Sequence, residues 1–419
     1  MKRTWTGFLF LIMAAGFSRA WAVSEAACLF LTISPSPAAN GMGTSYGAAA
    51  VTSPLAAIMN PAALGRFSLD NYFGYEYYPE SSAWLPGFTD EMDYNARLTA
   101  FGINLHALAG FPLAIGIAQH KVRLDLGTQA ITDEGSPEPL GYYQSFEQSE
   151  GTTLALAAEY YLRCSLGVTW KGIESDLSGF STGGKIQKAR ATLDARDWGV
   201  LVQIPLVGIV RKIGLLESES LSALNFWVDP GFYYSKTNIG GMVSYIDEAQ
   251  SDPLPRTLSL GLNLQAGLSY HGLTVAGFGW SREVDDMLLE RFMDGTSRYL
   301  STPPDLGFWE NVVLGKANDR TISKRGYEIN LADCYFIRNG RYEDAGEGVF
   351  NETSGYGINY LQPLRIAAVL LDLDNSRIGR LLSRIAFEKH HAEYKSGGGN
   401  FIAGSQYDSY IFRLNGFSL

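Results

Sequence analysis

Between residues 256 and 268 the chain alternates with a period of two. Leu258, Leu260, Leu262, Leu264, Ala266 and Leu268 fall on one side, and Thr257, Ser259, Gly261, Asn263, Gln265 and Gly267 on the other. That period is the signature of a β-strand with two unlike faces. The apolar side is nearly all leucine, and the opposite side is small and uncharged. Lipid on one face and a filled lumen on the other suit this pattern better than a half-solvated sandwich does. The rhythm recurs where Cys164, Leu166, Val168 and Trp170 alternate with Ser165, Gly167, Thr169 and Lys171. Further strands are predicted at 68–78, 95–108, 112–124, 141–148, 152–162, 273–281, 383–394 and 408–414. Counted along the whole chain the strand candidates number about fourteen.

Three stretches break the rhythm. Residues 127–140, with Gly135 and two prolines, read as an exposed loop. In residues 189–204, Arg190, Thr192, Asp194 and Arg196 share a face, which predicts a charged ladder in the lumen. The same parity turns apolar at Trp198, Val200, Val202 and Ile204, so either a bulge switches the face or the charged half extends beyond the membrane. Residues 285–320 contain Pro303-Pro304, Phe308, Trp309 and a helical pattern around Met287 to Met293. Long loops of outer-membrane barrels face outward, which predicts an extracellular lid or partner-binding loop here, presenting Phe308 and Trp309.

Composition narrows the classes. No later run reaches the roughly 18 apolar residues of a membrane helix. The chain has 23 Tyr, 22 Phe, 8 Trp and 46 Gly, with only 18% charged residues, a mixture suited to aromatic girdles and a crowded lumen. A net charge of −10 argues against nucleic acid as a partner. Lys2 and Arg3 precede an apolar core at 8–17, and Ala20-Trp21-Ala22 offers a cleavage site, so residues 1–22 read as a secretory signal peptide with cleavage as late as 27. Glu25, three before Cys28, is a poor fit to a lipoprotein signal. Three widely spaced cysteines, Cys28, Cys164 and Cys334, make no disulfide framework; Cys164 and Cys334 are expected to pack as small hydrophobes.

Residues 40–66 hold Gly41, Gly43, Gly47 and Gly65, an alanine run, Pro54 and Pro61, and almost no charge. Such a segment needs walls supplied by the rest of the chain. Gly41-Met42-Gly43 followed by Asn60-Pro61-Ala62-Ala63-Leu64 resembles the N-terminal plug of FadL-like outer-membrane β-barrels, in particular the PorV/PorQ branch. Asp197-Trp198-Gly199, Asn238-Ile239-Gly240-Gly241, Asp252-Pro253-Leu254-Pro255-Arg256, Gly326-Tyr327-Glu328 and Gly355-Tyr356-Gly357 repeat the resemblance along the chain. It implies an all-β transmembrane antiparallel barrel of about 14 strands in the bacterial outer membrane, with a plug at 23–67 and the barrel at 68–419. Gly41, Met42, Gly43, Gly47, Asn60, Pro61, Ala62 and Leu64 would belong to the plug, and Arg190, Asp194, Arg196, Asn263 and Gln265 to the lumen. The implied function is passage of small hydrophobic molecules past the plug. The alternative is a non-transporting adaptor of a type IX-like secretion system. The expected partners are membrane lipid, a hydrophobic ligand and, on the alternative, secretion proteins.

Catalytic readings fare less well. Gly43-Thr44-Ser45-Tyr46-Gly47 fits G-x-S-x-G but lacks the preceding strand of a nucleophile elbow. His390 and His391 point to opposite faces of a strand and cannot readily share a metal. Glu283, Asp285 and Asp286 read as solvated loop charges, and Glu388 with His390 as a solvated rim. No cofactor, metal or catalytic residue is assigned, and the chain is expected not to be an enzyme.

Overall fold

The structure, a computed structural model, describes residues 26–46, 53–79, 92–133, 136–182, 185–214, 224–245, 251–292, 296–346, 348–395 and 403–415. The expected signal peptide at 1–22 and Gly47 lie outside the described residues.

Fourteen antiparallel strands close into one barrel, each paired with its neighbours in sequence. They are β1 (Asn71–Tyr78), β2 (Asp93–Asn104), β3 (Leu113–Asp133), β4 (Ser136–Glu159), β5 (Arg163–Thr182), β6 (Lys185–Gln203) and β7 (Leu224–Gly240). The second half holds β8 (Thr257–Tyr270), β9 (Leu273–Met287), β10 (Thr321–Leu331), β11 (Tyr335–Asp344), β12 (Val349–Asn359), β13 (Ile385–Tyr394) and β14 (Gln406–Asn415). Closure comes from β1 against β14, with Tyr75 opposite Phe412 and Tyr77 opposite Tyr410. A closed ladder satisfies backbone N–H and C=O groups without an exposed edge, the condition for crossing lipid with strands.

Alternation sorts the side chains. On β5, Leu166, Val168 and Trp170 point out and are exposed, while Ser165, Thr169 and Lys171 point in and are buried. Ile115, Ile117, Leu154, Leu156, Phe101 and Ile337 extend this apolar exterior around the wall. An apolar outside and a polar inside place the protein in the bacterial outer membrane. Leu166 is 58% exposed on this belt. Leu166→Arg is therefore expected to cost about 2–4 kcal/mol if the site lies near the bilayer midplane. Denaturant titration of the barrel refolded into vesicles measures it, and Thr192→Arg, beyond the belt, should cost little.

Several elements differ from the sequence expectation. Ser68 to Asp70 end a helix, and β1 starts at Asn71. Residues 127–140 are mostly strand, because β3 and β4 continue past a bulge after Asp125 to a tight reversal. Residues 285–287 complete β9, and 289–291 pair with 297–299 in a small ribbon rather than forming a helix. Arg190, Asp194 and Arg196 do not form a lumen ladder: they stand on the outward face with Trp198 and Val200, near the tip of a hairpin taller than the membrane. Parity never switches along β6; the inward positions are Ala191, Ala195, Asp197, Gly199 and Leu201. Cys164 lies exposed on the outer wall, and Cys334 sits in the turn between β10 and β11.

The longest described loop, 288–320, and the tall β3–β6 hairpins stand at one end, which is accordingly extracellular. The start of β1 and the end of β14 lie at the other, periplasmic end. That end also carries α2 (Leu206–Lys212) between β6 and β7, and α3 (Gln362–Leu370) and α4 (Arg377–Leu382) between β12 and β13.

Candidate functional site

The N-terminal segment occupies the lumen. It runs through one-turn helices at Pro37–Asn40 and Ala56–Met59 into α1 (Ala62–Asp70), which leads directly into β1. All described residues from 34 to 69 are buried, apart from half-buried Met59. The segment is helical in short pieces because alanine favours helix while Pro54 and Pro61 interrupt it. Asn60 turns the chain: its Oδ1 accepts the Ala62 N–H at 3.1 Å.

The wall receives this segment on glycines. A Cβ at Gly167 would sit 2.3 Å from the Pro61 carbonyl, and one at Gly199 would sit 2.0 Å from Asn60 Oδ1. Further round, a Cβ at Gly326 would lie 2.3 Å from Met42 O, and one at Gly340 would lie 2.1 Å from Gly43 N. Gly41 meets Gly355 backbone to side-chain-free backbone, at 3.2 Å from its own would-be Cβ to the Gly355 Cα. Gly43 adopts φ +69°, where a side chain would also strike Arg341, and its N–H donates to Thr353 Oγ1 at 2.9 Å. Small residues on both surfaces let backbone lie on backbone. Met42, Ala62 and Leu64 fill the spaces between and are fully or almost fully buried.

Polar anchors fix the register. Glu283 Oε2 accepts the Tyr46 N–H at 3.0 Å and the Tyr233 hydroxyl at 2.7 Å. Lys324 Nζ lies 3.0 Å from Glu283 Oε1 and 2.5 Å from Asp285 Oδ2. On the opposite wall, Glu76 accepts from Ser53 Oγ at 2.7 Å, Leu55 N at 2.9 Å and Ser409 Oγ at 2.8 Å. Ser165 Oγ donates to the Ala62 carbonyl at 2.6 Å, and Arg66 Nε to Gln203 Oε1 at 2.8 Å. Thus Glu283 and Asp285 are buried lumen groups rather than solvated loop charges. Asp286 faces out and is also buried. The sequence signal was available in Glu76, Lys171 and Lys324: charges at inward positions of otherwise apolar or small-residue strands.

The wall carries one built-in irregularity here. β7 bulges at Thr237 and Asn238 opposite Asp197. Asp197 Oδ1 accepts the Asn238 N–H at 2.6 Å, and Lys171 Nζ lies 2.8 Å from Asp197 Oδ2. From above, residues 252–256 fold over the start of the segment: Ala27 N–H donates to Pro253 O at 2.9 Å, and Leu254 is fully buried. Cys28 is buried in the same region, and that burial, with Glu147 beside it, pushes its thiol up to about 12.

Below the segment lies a periplasmic chamber of about 1180 Å³. Its lining is polar and includes Arg66, Arg163, Gln265, Glu328, Asn330 and Arg413. Asn263 is buried higher up, against Gly231. His390, far from a solvated rim, is buried with Nε2 2.9 Å from Glu388 Oε2 and Nδ1 2.7 Å from Arg338 Nη1; His391 points outward to Asp408. Ser45 Oγ is 2.7 Å from Ser281 Oγ and 3.2 Å from the Tyr233 hydroxyl, with no histidine bonded to it.

Phe308 and Trp309 belong to a six-residue π-helix, Phe308–Val313, packed on the outside of β8 and β9. Arg282, an outward residue, donates to the Val313 carbonyl, and Ser323 Oγ to Gly315 O at 3.2 Å. Val312 and Val284 are buried between them, while Trp309 is 71% exposed. This part of the loop lies on the outer wall and does not cover the lumen.

No protein-family model matches the sequence, and no curated protein matches it. Solved structures do show similarity. The Ralstonia pickettii toluene transporter TbuX aligns at 12% identity and a TM-score of 0.40, over 90% of this chain and 96% of that one. The P. putida toluene transporter TodX aligns at 9% identity and 0.40, over 91% and 98%. A Pseudomonas aeruginosa FadL homologue aligns at 8% identity and 0.33, over 90% and 97%. The architecture rests on the strand pairing of this chain itself.

Proposed function

We propose that the protein is a FadL/PorV-type transport barrel, without enzymatic activity, in which residues 23–67 act as a plug and small hydrophobic molecules cross the outer membrane once that plug shifts. The observation that carries this reading is the seating of residues 34–46 and 53–69 inside the wall on glycine contacts and a few polar anchors. Backbone-on-glycine packing gives a close seal, and lifting the segment also unpacks the buried Met42, Leu55, Leu64 and Phe67. The chamber beneath is lined by charged and polar groups among a minority of apolar ones, and an apolar solute gains less there than in lipid. Its favourable route leaves the lumen beside the plug, sideways into lipid. The Ser45 hydroxyl, held by those of Ser281 and Tyr233, supports a role in seating the plug and not a nucleophilic one.

A cross-link tests this. In a chain with Cys28, Cys164 and Cys334 replaced by serine, Ser45→Cys with Ser281→Cys would tie the segment to β9. Uptake of a radiolabelled arene or alkane by intact cells should stop on oxidation and return on reduction. Uptake indifferent to the cross-link would remove the plug from the mechanism. The exposed Trp309 and Phe308 support the second reading, an adaptor of a type IX-like secretion system. Deleting residues 303–316 would then abolish cargo secretion while leaving solute uptake intact.

A further inference from the structure

The connection from β12 to β13, residues 360–384, presents two different sides. Arg365, Asp374, Arg380 and Ser383 border the periplasmic chamber. Leu364, Leu370, Leu371, Leu373, Ile378 and Leu381 are turned away from the protein and are between 50% and 71% exposed. Leu364, Ala367 and Leu371 follow helical spacing along one face of α3 and its last turn. Six large aliphatic side chains in 18 consecutive residues (364–381) would be a costly surface to leave in water.

The surface is continuous with the lipid-facing wall. Tyr360, where the connection begins, lies against Phe387 with ring centroids 5.6 Å apart. Phe387 faces outward on β13, opposite Phe412 of β14. At the other end of the connection, Arg384 O accepts the Asn415 N–H at 2.6 Å, fixing α4 to the barrel rim. Of the four arginines of the connection, Arg365, Arg380 and Arg384 line the chamber, while Arg377 is exposed and lies off that lining, where its guanidinium can pair with a phosphate. The same rim repeats the arrangement at α2, where Leu206 and Ile213 are exposed and Lys212 lies over the Tyr160 and Tyr161 rings.

We propose that α3 and α4 form an interfacial hairpin resting in the periplasmic leaflet of the outer membrane. Its leucines and Ile378 enter the acyl chains, and Arg377 meets an anionic phospholipid head group. Amphipathic helices with a basic polar side bind interfaces in this way. Here the bound helices also form part of the rim of the chamber, so the leaflet holds that rim in place. This inference stands apart from the plug reading and survives its failure.

Nitroxide labels on the full chain test it. In the serine background described above, Leu370→Cys, Ile378→Cys and Asp374→Cys are labelled singly. Each protein is reconstituted in vesicles of phosphatidylethanolamine and phosphatidylglycerol, and heat-modifiable migration confirms folding. Labels at 370 and 378 should collide with oxygen in preference to a water-soluble nickel chelate, and the label at 374 should show the reverse. Nickel reaching all three sites alike would place the hairpin in water and overturn the proposal. Exclusion of both reagents at 370 and 378 would mean a protein cover and would overturn it equally. Leu371→Cys and Leu381→Cys serve if either first site prevents folding. Replacing phosphatidylglycerol by a neutral lipid should raise nickel access at 370 and 378; unchanged access would sink the arginine–head-group contact.

Discussion

Gly340→Leu is expected to open the lumen while leaving the barrel folded. Gly340 pairs with Gly326 and Thr353 through backbone groups, and a side chain does not disturb that ladder. Its Cβ, however, would lie 2.1 Å from Gly43 N and 2.2 Å from the Met42 carbonyl carbon. Both are backbone atoms, and Gly43 N–H is held by Thr353 Oγ1. Neither can turn aside as a side-chain tip would. Overpacking of this kind costs about 1–3 kcal/mol, sometimes more, and the segment can escape the clash only by lifting off the wall. Charged wholly to the seated state, that cost shifts the balance between seated and lifted segment by about 5- to 150-fold. Planar-bilayer conductance and entry of a bulky antibiotic into cells should both rise, with heat-modifiable migration preserved. Gly141→Leu, where a Cβ meets nothing within 4 Å, should behave as wild type. Deleting residues 40–66 should give the same leak in full, and a variant lacking them that still excludes small solutes would show that the segment does not close the pore.

The same contacts explain which parts of the site were legible in the sequence. β8 was readable because its two faces differ along its whole length. On β6 the alternation is equally regular, and of its two readings, a lumen ladder of Arg190, Asp194 and Arg196 or a charged half rising beyond the membrane, the structure takes the second. Period two fixes which residues share a face, but not how far a strand rises beyond the membrane, and beyond it the outward face meets water and takes charge. Residues 127–140 failed for the same reason, since a tall hairpin is polar outside the bilayer and resembles a loop. Gly199, Gly326 and Gly355 drew notice as fragments of a family pattern. Their physical meaning needed the partner segment, because each is a place where Asn60, Met42 or Gly41 meets the wall. Phe308 and Trp309 read as exposed aromatics in the sequence, whereas their location on the outer wall follows from Arg282 and Ser323, residues with no local signal. Glu283 differs from the loop charge its sequence suggests because β9 runs to Met287 and carries the acidic residues inside and beneath the loop.

Glu283→Leu should release the segment around Tyr46. The Glu283 carboxylate is buried and joins three groups: the Tyr46 N–H, the Tyr233 hydroxyl and Lys324. Removing it leaves the first two donors without that acceptor, and Lys324 keeps its ion pair with Asp285. Breaking a buried ion pair from one side typically costs about 3–5 kcal/mol. Part of that cost falls on the barrel and part on the seated segment, and a set of variants separates them. Glu283→Gln keeps an acceptor for Tyr46 and should lose less. Lys324→Met leaves Glu283 and Asp285 buried without a cation and should destabilise the barrel strongly. The triple change Glu283→Leu, Asp285→Leu and Lys324→Met removes every charge of the cluster, and replacing buried ion pairs by apolar residues of similar volume is often neutral or better. The triple variant should therefore regain much of the barrel's thermal stability, yet the Tyr46 N–H still finds no carboxylate. Proteinase K should cleave it near residues 40–52 faster than wild type. If protection returns together with stability, the cluster supports the wall and does not latch the segment. If stability returns without protection, Glu283 is the latch that holds the segment at Tyr46.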